Sequence, residues 1–581
     1  MRLRRLFSAL EKSYVKGASI PPLLEISISK QLEIITNSYP DNLALISHEQ
    51  DIKMSYSEMF EKAKRIAANL LEMGVQKGDR VGVYAPNNVE WYLMQMACSL
   101  ADTIFVTINP AYKADELLYG LNLVELNYLI TTNRTKPARL LNNIETFISD
   151  KEIENPLNYK IEKAKNLKSI FVINEDKDKH SNSSLYNDFE EYLVSKSPSD
   201  KYKDKVETII KTQNHYDAAN IQFTSGTTGR PKGCVLTHHN ILNNAYSITN
   251  EMNYNSDDVI CVAVPFYHCF GMVIGNLSAI TSGSTILIPS ATFNAEKALE
   301  AVSKYNASTI YGVPTMFNDY LKVQEKRQFN LGRLRAGIMA GSLCPEVLNN
   351  RVINELGVTG LAVAYGMTET SPISFMVREN DPLIKKTSTV GRIFPHLECK
   401  VVNEAGETVN IGEPGELLTK GYSVMKEYYN DPINTDKSIK DGWMYTGDLV
   451  TFDKDGYACV VGRIKDLIIR GGENIAPKEV EDLLLQMPQI DSCQVIGVPD
   501  ERMGEEICAL IKLKENVNEL KKDEILRFVK ERISHFKIPK YVWIVDSFPI
   551  TVTGKPQKFK MVKDWIEKVV EKGLEKEFML K

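Results

Sequence analysis

Ile221-Gln222-Phe223-Thr224-Ser225-Gly226-Thr227-Thr228-Gly229-Arg230-Pro231-Lys232-Gly233 runs from an apolar strand pattern into a loop of hydroxyls, glycines and a lysine, and a helical pattern opens just beyond it, near Thr237. Glycine lets backbone approach an anion closely, exposed amides and hydroxyls donate to phosphate oxygens, and Lys232 adds a compact positive charge. A nucleoside triphosphate suits such a loop. Gly233, rather than Ser or Thr, follows Lys232, so this is not a Walker A sequence. Taken alone, the stretch reads equally well as a flexible turn between strand and helix, and the rest of the chain has to decide.

Working outward from it, helical patterns (Tyr56 to Met73) alternate with short apolar runs (Arg80 to Tyr84, Thr103 to Ile108), as in an α/β domain with parallel sheet at its centre. Between about Asn133 and Gln213 the pattern weakens into Lys, Asp, Asn and Ser, including Glu175-Asp176-Lys177-Asp178-Lys179, which predicts an irregular or surface-exposed insertion. Strand-like runs resume at Val259-Val264, Thr285-Ile288, Thr309-Tyr311, Arg335-Ala340 and Leu361-Ala364. Several end on Gly, Pro, Ser or Thr loops, where open parallel sheets bind ligands. Beyond Arg463 short runs (Leu467-Ile469, Cys493-Val498, Ile507-Leu513, Val542-Val545) surround two helical patterns, Lys478-Gln486 and Asp523-Ile533, which predicts a small α+β domain.

A chain of 581 residues exceeds one hydrophobic core, which agrees with two domains, expected over 21–464 and 465–581. A net charge of -5 gives no electrostatic reason to expect nucleic acid as a partner. None of the nine cysteines forms a Cys-x-x-Cys pair, so neither a disulfide framework nor a zinc site is expected. The longest apolar stretch, Trp91 to Ile108, is interrupted by Gln95, Ser99 and Asp102, so no transmembrane segment is expected. At the N-terminus Arg2, Arg4, Arg5, Lys12 and Lys16 face one acid, Glu11, while Leu3, Leu6, Phe7 and Leu10 share a helical face. Residues 1–20 thus resemble a transit peptide for the mitochondrial matrix; a basic helix retained in a cytoplasmic protein is the other reading.

Further motifs follow the first in fixed order: Tyr365-Gly366-Met367-Thr368-Glu369-Thr370, Tyr445-Thr446-Gly447-Asp448, Gly462-Arg463-Ile464-Lys465-Asp466 and Thr553-Gly554-Lys555. With these the sequence resembles the adenylate-forming (AMP-binding) superfamily of acyl-CoA synthetases, peptide adenylation domains and beetle luciferases, from about Thr36 to Lys558. The likeness is greatest to medium-chain acyl-CoA synthetases of the mitochondrial family-member-2 type, through Pro265-Phe266-Tyr267-His268-Cys269, Gly312-Val313-Pro314-Thr315-Met316-Phe317, Ile468-Ile469-Arg470-Gly471-Gly472-Glu473-Asn474 and Ile533-Ser534-His535-Phe536-Lys537-Ile538-Pro539-Lys540.

The resemblance implies ATP, Mg²⁺ and coenzyme A alongside a small-molecule carboxylic acid. It implies that Thr224, Ser225, Gly226, Thr227, Thr228, Gly229, Arg230, Pro231 and Lys232 cradle the β- and γ-phosphates and that Glu369 holds Mg²⁺. Thr368 would then touch the α-phosphate, Tyr365 lie against adenine, Asp448 bind the ribose hydroxyls, and Arg463 add contacts to ribose or phosphate. Lys555 would bridge carboxylate and phosphate during adenylation, although Pro556 directly after it departs from the usual pattern and restricts its backbone. Lys465 would be the hinge that makes the small domain mobile. His268 and Phe270 fall where the family lines its carboxylate pocket, though a histidine among apolar neighbours also reads as a core residue. Adjacent His238 and His239 cannot share a helical face and are read as structural.

The function expected is therefore an AMP-forming fatty acid–CoA ligase. An adenylation enzyme loading a carrier protein would share every nucleotide motif, but the 26 residues after Lys555 are too few for a carrier domain. A luciferase-like oxygenase shares the fold, and the Met579-Leu580-Lys581 end lacks the peroxisomal signal common there. A non-catalytic nucleotide- or acyl-binding protein would be expected to lack Lys555, Glu369 or Asp448, all of which are present.

Overall fold

The computed structural model describes residues 11–134, 140–148, 155, 157–175, 185–225, 231–342, 344–470, 473–500, 502–517, 519–530, 532–533, 535–550 and 556–580. Among these residues the strands form four sheets. One has eight strands, in spatial order Glu427–Tyr428, Pro231–Thr237, Ala218–Ser225, Ile104–Ile108, Arg80–Tyr84, Tyr128–Thr132, Ser169–Ile173 and Asn187–Asp188. From Ala218–Ser225 outward to Asn187–Asp188 every pairing is parallel. That arrangement suits uninterrupted apolar strands, which need cover on both faces. A nine-stranded sheet is likewise parallel from Gly360–Gly366 to Leu43–Ser47 and antiparallel at both edges.

Between these sheets lies the apolar stretch that had no transmembrane reading. It is a core helix, Val89–Leu100, buried on every side apart from Glu90, followed by the strand Ile104–Ile108. Trp91 stands edge-on to Phe105 at 4.9 Å and tilted to Phe266 at 5.3 Å, so one indole joins the two sheets into one core. No helix among the described residues is long and apolar enough to cross a membrane. Helix starts follow local chemistry: Ser55 and Glu58 form a reciprocal cap for Tyr56–Glu72, and Thr237 with Asn240 does the same for His238–Glu251. Each such cap contributes about 1 kcal/mol.

Two expectations change. The stretch between Asn133 and Gln213 is not only an irregular insertion. Ser169–Ile173 is a fully buried strand of the eight-stranded sheet, and Asp200–Thr212 is a helix that packs on Tyr56–Glu72 through Val206 and Ile210. Its charged outer face dilutes the apolar signal of its two buried positions, Val206 and Ile210. The large domain also carries a six-stranded sheet that is antiparallel throughout, made of Tyr14–Lys16, Leu397–Val402, Gly415–Gly421, Trp443–Phe452 and Ile439–Lys440, with Ala458–Arg463 beside Trp443–Phe452.

Its edge strand lies inside the segment expected as a leader. Tyr14 pairs with Lys400 and Lys16 with Glu398, Ser13 is fully buried, and Gly17 donates to the carbonyl of Leu397 at 2.8 Å. Residues 1–10 lie outside the described residues, whereas Tyr14–Lys16, in the second half of the 1–20 segment, is a strand of the sheet.

After Arg463 the strands join a separate five-stranded sheet, Glu473–Ile475, Ile468–Arg470, Gly504–Leu513 and Ile490–Asp500, with Tyr541–Ile544 parallel to Gly504–Leu513. Helices Pro477–Leu484, Lys522–Lys530 and Lys558–Trp565 cover it, and its apolar clusters, around Ile468, Val495 and Ile525 and around Trp565 and Tyr541, are its own. This is the small α+β domain expected.

Candidate active site

The opening stretch is a hairpin rather than a strand–loop–helix unit. Ala218–Ser225 and Pro231–Thr237 pair antiparallel, with Pro231 opposite Ser225 and Lys232 opposite Thr224. Gly226, Thr227, Thr228, Gly229 and Arg230 lie outside the described residues. Pro231 and Gly233 masked the second strand in the sequence, because both residue types argue against a strand interior. A cavity of about 170 Å³ lies against Lys232, between Tyr119, Tyr429, Asp431 and Asn434.

The strand Gly360–Gly366 delivers Thr368 and Glu369 on the tight turn that returns as Ile373–Met376. Only glycine fits at 366, since a Cβ there would lie 1.7 Å from the carbonyl oxygen of Pro372. Glu369 is buried, and its Oε1 accepts a hydrogen bond from the hydroxyl of Tyr428 at 2.8 Å. The same tyrosine presents its ring to Lys232, whose Nζ is 4.7 Å from the ring centroid. Burial and the neighbouring carboxylate push the Tyr428 phenol well up, so it stays a donor. Sequence reasoning passed over Tyr428; its one signal was the aromatic pair Tyr428-Tyr429 at a strand edge.

Thr368 meets the next group through Cys269, with Oγ1 to Sγ at 3.7 Å. His268 adjoins the same sulfur, its Nδ1 at 3.7 Å, and that nitrogen accepts the amide of Phe270 at 3.1 Å. Burial pushes the Cys269 thiol up to about 12, which rules it out as a nucleophile at neutral pH. Phe270 opens the buried helical segment Phe270–Leu277, with its ring 5.8 Å from that of Tyr311. The structure therefore brings His268 and Thr368 together, and sets Phe270 among core aromatics.

Asp448 and Arg463 face each other across Trp443–Phe452 and Ala458–Arg463. The buried carboxylate of Asp448 accepts the Tyr365 hydroxyl at 2.7 Å on one oxygen and Arg463 Nε at 3.0 Å on the other. Gly447, at φ 70, turns the chain so that the Asp448 amide donates to Thr446 Oγ1 at 3.2 Å while the Gly447 amide donates to Glu416 at 3.0 Å. Burial, then Asp448, holds the Tyr365 phenol well above its usual range, so it too remains a donor. Tyr365 and Glu369 share one segment, which brings the Asp448 pair beside the Glu369–Tyr428–Lys232 group.

Lys465 stands exposed on the turn Ile464–Asp466. Lys555 and Gly471-Gly472 lie outside the described residues. The flanks of the Lys555 segment are pinned: Ile550 bridges Pro556, Gln557 donates to the carbonyl of Pro549 at 2.9 Å, and Lys558 pairs with buried Glu481 at 2.7 Å. His238 is buried, with its pKa lowered to about 4 by desolvation, and its Nδ1 accepts the amide of Ile28 at 3.4 Å. No group of three or more metal-binding side chains occurs among the described residues. Glu369 alone still fits Mg²⁺, which commonly takes one or two protein carboxylates and completes its shell with water and substrate phosphates.

The AMP-binding enzyme family model matches residues 32–429, and that of the AMP-binding enzyme C-terminal domain matches 479–555. Medium-chain acyl-CoA ligase ACSF2, mitochondrial, of Danio rerio is 39% identical over 556 residues, covering 95% of this chain and 90% of its own. YngI of Bacillus subtilis is 38% identical over 547 residues, covering 94% of this chain and 98% of its own. Among solved structures, ATP-bound MatB from Rhodopseudomonas palustris superposes with a TM-score of 0.78 at 26% identity, over 92% of this chain and 99% of that one. With a family model across most of its length and relatives this similar from end to end, the chain belongs to the AMP-binding enzyme family.

Proposed function

We propose that this enzyme activates a fatty acid of medium chain length with ATP and passes the acyl group to coenzyme A, releasing AMP and pyrophosphate. The observation that carries the reading is the pairing of Asp448 with both Tyr365 and Arg463 next to the Glu369–Tyr428–Lys232 group. A carboxylate with two oriented oxygens suits the two hydroxyls of a ribose, and the neighbouring charges suit a triphosphate. The ligase names of the relatives, a medium-chain acyl-CoA ligase among them, support acid and thiol as the other substrates.

In the first half-reaction the substrate carboxylate attacks the α-phosphorus and pyrophosphate leaves. Lys232 and the Thr224 to Lys232 loop hold the β- and γ-phosphates, Thr368 meets the α-phosphate, and Lys555 draws the two anions together; this stabilises charge in the transition state. A magnesium ion held by Glu369 would supply further compensation for phosphate charge. In the second half-reaction the thiolate of coenzyme A attacks the acyl carbonyl and AMP leaves. Rotation of residues 465–581 about Lys465 would withdraw Lys555 between the steps and bring up the Gly471-Gly472-Glu473 face. His268 and Phe270 would line the approach to the acyl group.

A mitochondrial matrix location agrees with the printed names of the vertebrate relatives and with the basic N-terminus. Because Tyr14–Lys16 is a strand of the sheet and Ser13 is hydrogen-bonded beside it, a removable leader would end before Ser13.

The test is nucleotide release by the full chain with MgATP, coenzyme A and unbranched fatty acids of graded length. Sustained AMP production that needs both acid and coenzyme A, peaking at medium lengths, is the expected result. Acid-dependent pyrophosphate exchange without acyl-CoA formation would move the acceptor to another thiol, such as a carrier protein.

A further inference from the structure

We propose that Tyr428 is a positioning residue that keeps Lys232 and Glu369 apart, so that the cation stays available to phosphate and the carboxylate to a divalent ion. The proposal rests on reading Lys232 and Glu369 as phosphate and metal ligands. Opposite charges that meet the two ends of one side chain, in a site partly screened from water, attract each other and pair unless something stands between them. Tyr428 does so with its hydroxyl and its ring. Its hydroxyl donates to Glu369 Oε1 at 2.8 Å, and its ring lies 4.7 Å from Lys232 Nζ, where the aromatic quadrupole attracts an ammonium without neutralising it. No described residue donates a hydrogen bond to the other Glu369 oxygen, and among the described residues Lys232 and Glu369 form no ion pair with each other.

The tyrosine is itself held in place. Glu427–Tyr428 pairs with Pro231–Thr237, setting Tyr428 opposite Cys234, two residues from Lys232, and the Tyr428 amide donates to Thr435 Oγ1 at 2.9 Å. Asp431, three residues on, is another charge near Lys232 and lies on its cavity side. Met425 donates its amide to the carbonyl of Glu369 at 2.9 Å, tying the acid's backbone to the same short segment. One segment, 425–431, thus fixes the spacing of two ligands that come from different sheets. A phenylalanine in place of Tyr428 would keep the ring but leave a buried carboxylate without its donor. Glu369 would then turn to Lys232, and ATP would have to break that pair to bind.

The experiment is calorimetric binding of ATP to the full chain in EDTA, repeated with magnesium, for the unaltered protein, Tyr428→Phe, Glu369→Gln and the double variant, with thermal unfolding of each. Without magnesium, Y428F is expected to bind ATP about tenfold more weakly, the scale of one hydrogen bond to a charged group. The double variant should regain the affinity of E369Q, because residue 369 no longer carries the charge that would capture Lys232. Undiminished ATP binding by Y428F, or a double variant as weak as Y428F, overturns the proposal. A purely structural role would lower the unfolding temperature and would not be reversed by E369Q. If Y428F does not fold, E369Q decides with Tyr428 in place: a change within about threefold supports insulation, and a tenfold gain would show that the two charges already pair around the ring. No ATP binding by the unaltered chain overturns the reading of the whole site and this proposal with it.

Discussion

Asp448 is 5% exposed and bonded on both oxygens, whereas Lys465, two residues beyond its partner Arg463, stands in solvent on a short turn. That contrast extends to the regions each belongs to. In the large domain, Tyr365, Glu369, Tyr428, Asp448 and Arg463 reach one another from separate sheets, and their charges are already paired or insulated. Groups set in advance need little rearrangement when charge develops, which is where such sites gain rate. The small domain has its own sheet and apolar clusters, so reorienting it at Ile464–Asp466 would leave both cores intact. On the proposed mechanism, a preset nucleotide site would work with a lysine donor that moves between steps, a division of labour that two-step chemistry can use.

The largest effect is expected on the rigid side. Asp448→Asn keeps the shape but removes the charge that Arg463 and Tyr365 share, and acid-dependent pyrophosphate exchange should fall about a thousandfold, the worth of two charge-assisted hydrogen bonds. Lys465→Pro tests the proposed hinge. Thioester formation should fall about a hundredfold while pyrophosphate exchange stays within about threefold, because a fixed φ obstructs rotation but not the nucleotide site. Equal losses in both half-reactions would remove the distinction between the two regions.

The sequence was informative where one residue type had one chemical reason to be there. The strands at Thr285–Ile288 and Thr309–Gly312 and the helix after Thr237 were legible because apolar period and capping agree. Asp448, Arg463, Tyr365 and Glu369 were legible as motif residues; the structure joins the first three and sets Glu369 against Tyr428. Tyr428 was not, since its role arises from pairing between Glu427–Tyr428 and a strand nearly 200 residues earlier, a long-range register that local pattern does not encode. The antiparallel sheet around Trp443–Phe452 escaped for a related reason: buried positions alternate with half-buried ones, so its apolar runs are short. Basic charge at the N-terminus suggested a leader through residue 20, and nothing local to Tyr14–Lys16 reveals that its partner lies at Glu398 to Lys400.

That edge strand supplies a smaller effect, confined to stability. A Cβ at Gly17 would lie 2.0 Å from the carbonyl oxygen of Phe394, so Gly17→Val must displace the strand and should cost about 3 kcal/mol. Differential scanning calorimetry should show the large domain's transition lowered and the small domain's unchanged. A shift of both together would mean that they unfold as one unit.

Acid separates the regions more gently, and in two windows. His238, in the large domain, has a folded pKa of about 4 against the usual 6.5, because burial disfavours its charged form; Asp102 and Asp217 oppose that effect, and His215 and Lys77 reinforce it. The unfolded chain therefore takes the proton first, so the stabilisation is full above 6.5 and is lost as pH falls toward 4, amounting to about 2 kcal/mol by pH 5. Asp500, in the small domain, is lowered from 3.8 to about 2, chiefly by Lys540, with the Met503 and Arg502 amides adding to it. Its contribution is present above 3.8 and lost only as pH falls through about 2. Chemical denaturation from pH 7 to 5 should thus weaken the large domain alone, and His238→Gln should flatten that decline while Asp500→Asn leaves it untouched. If His238→Gln leaves the decline in place, another buried group carries it; if Asp500→Asn alters it, the two domains unfold as one unit.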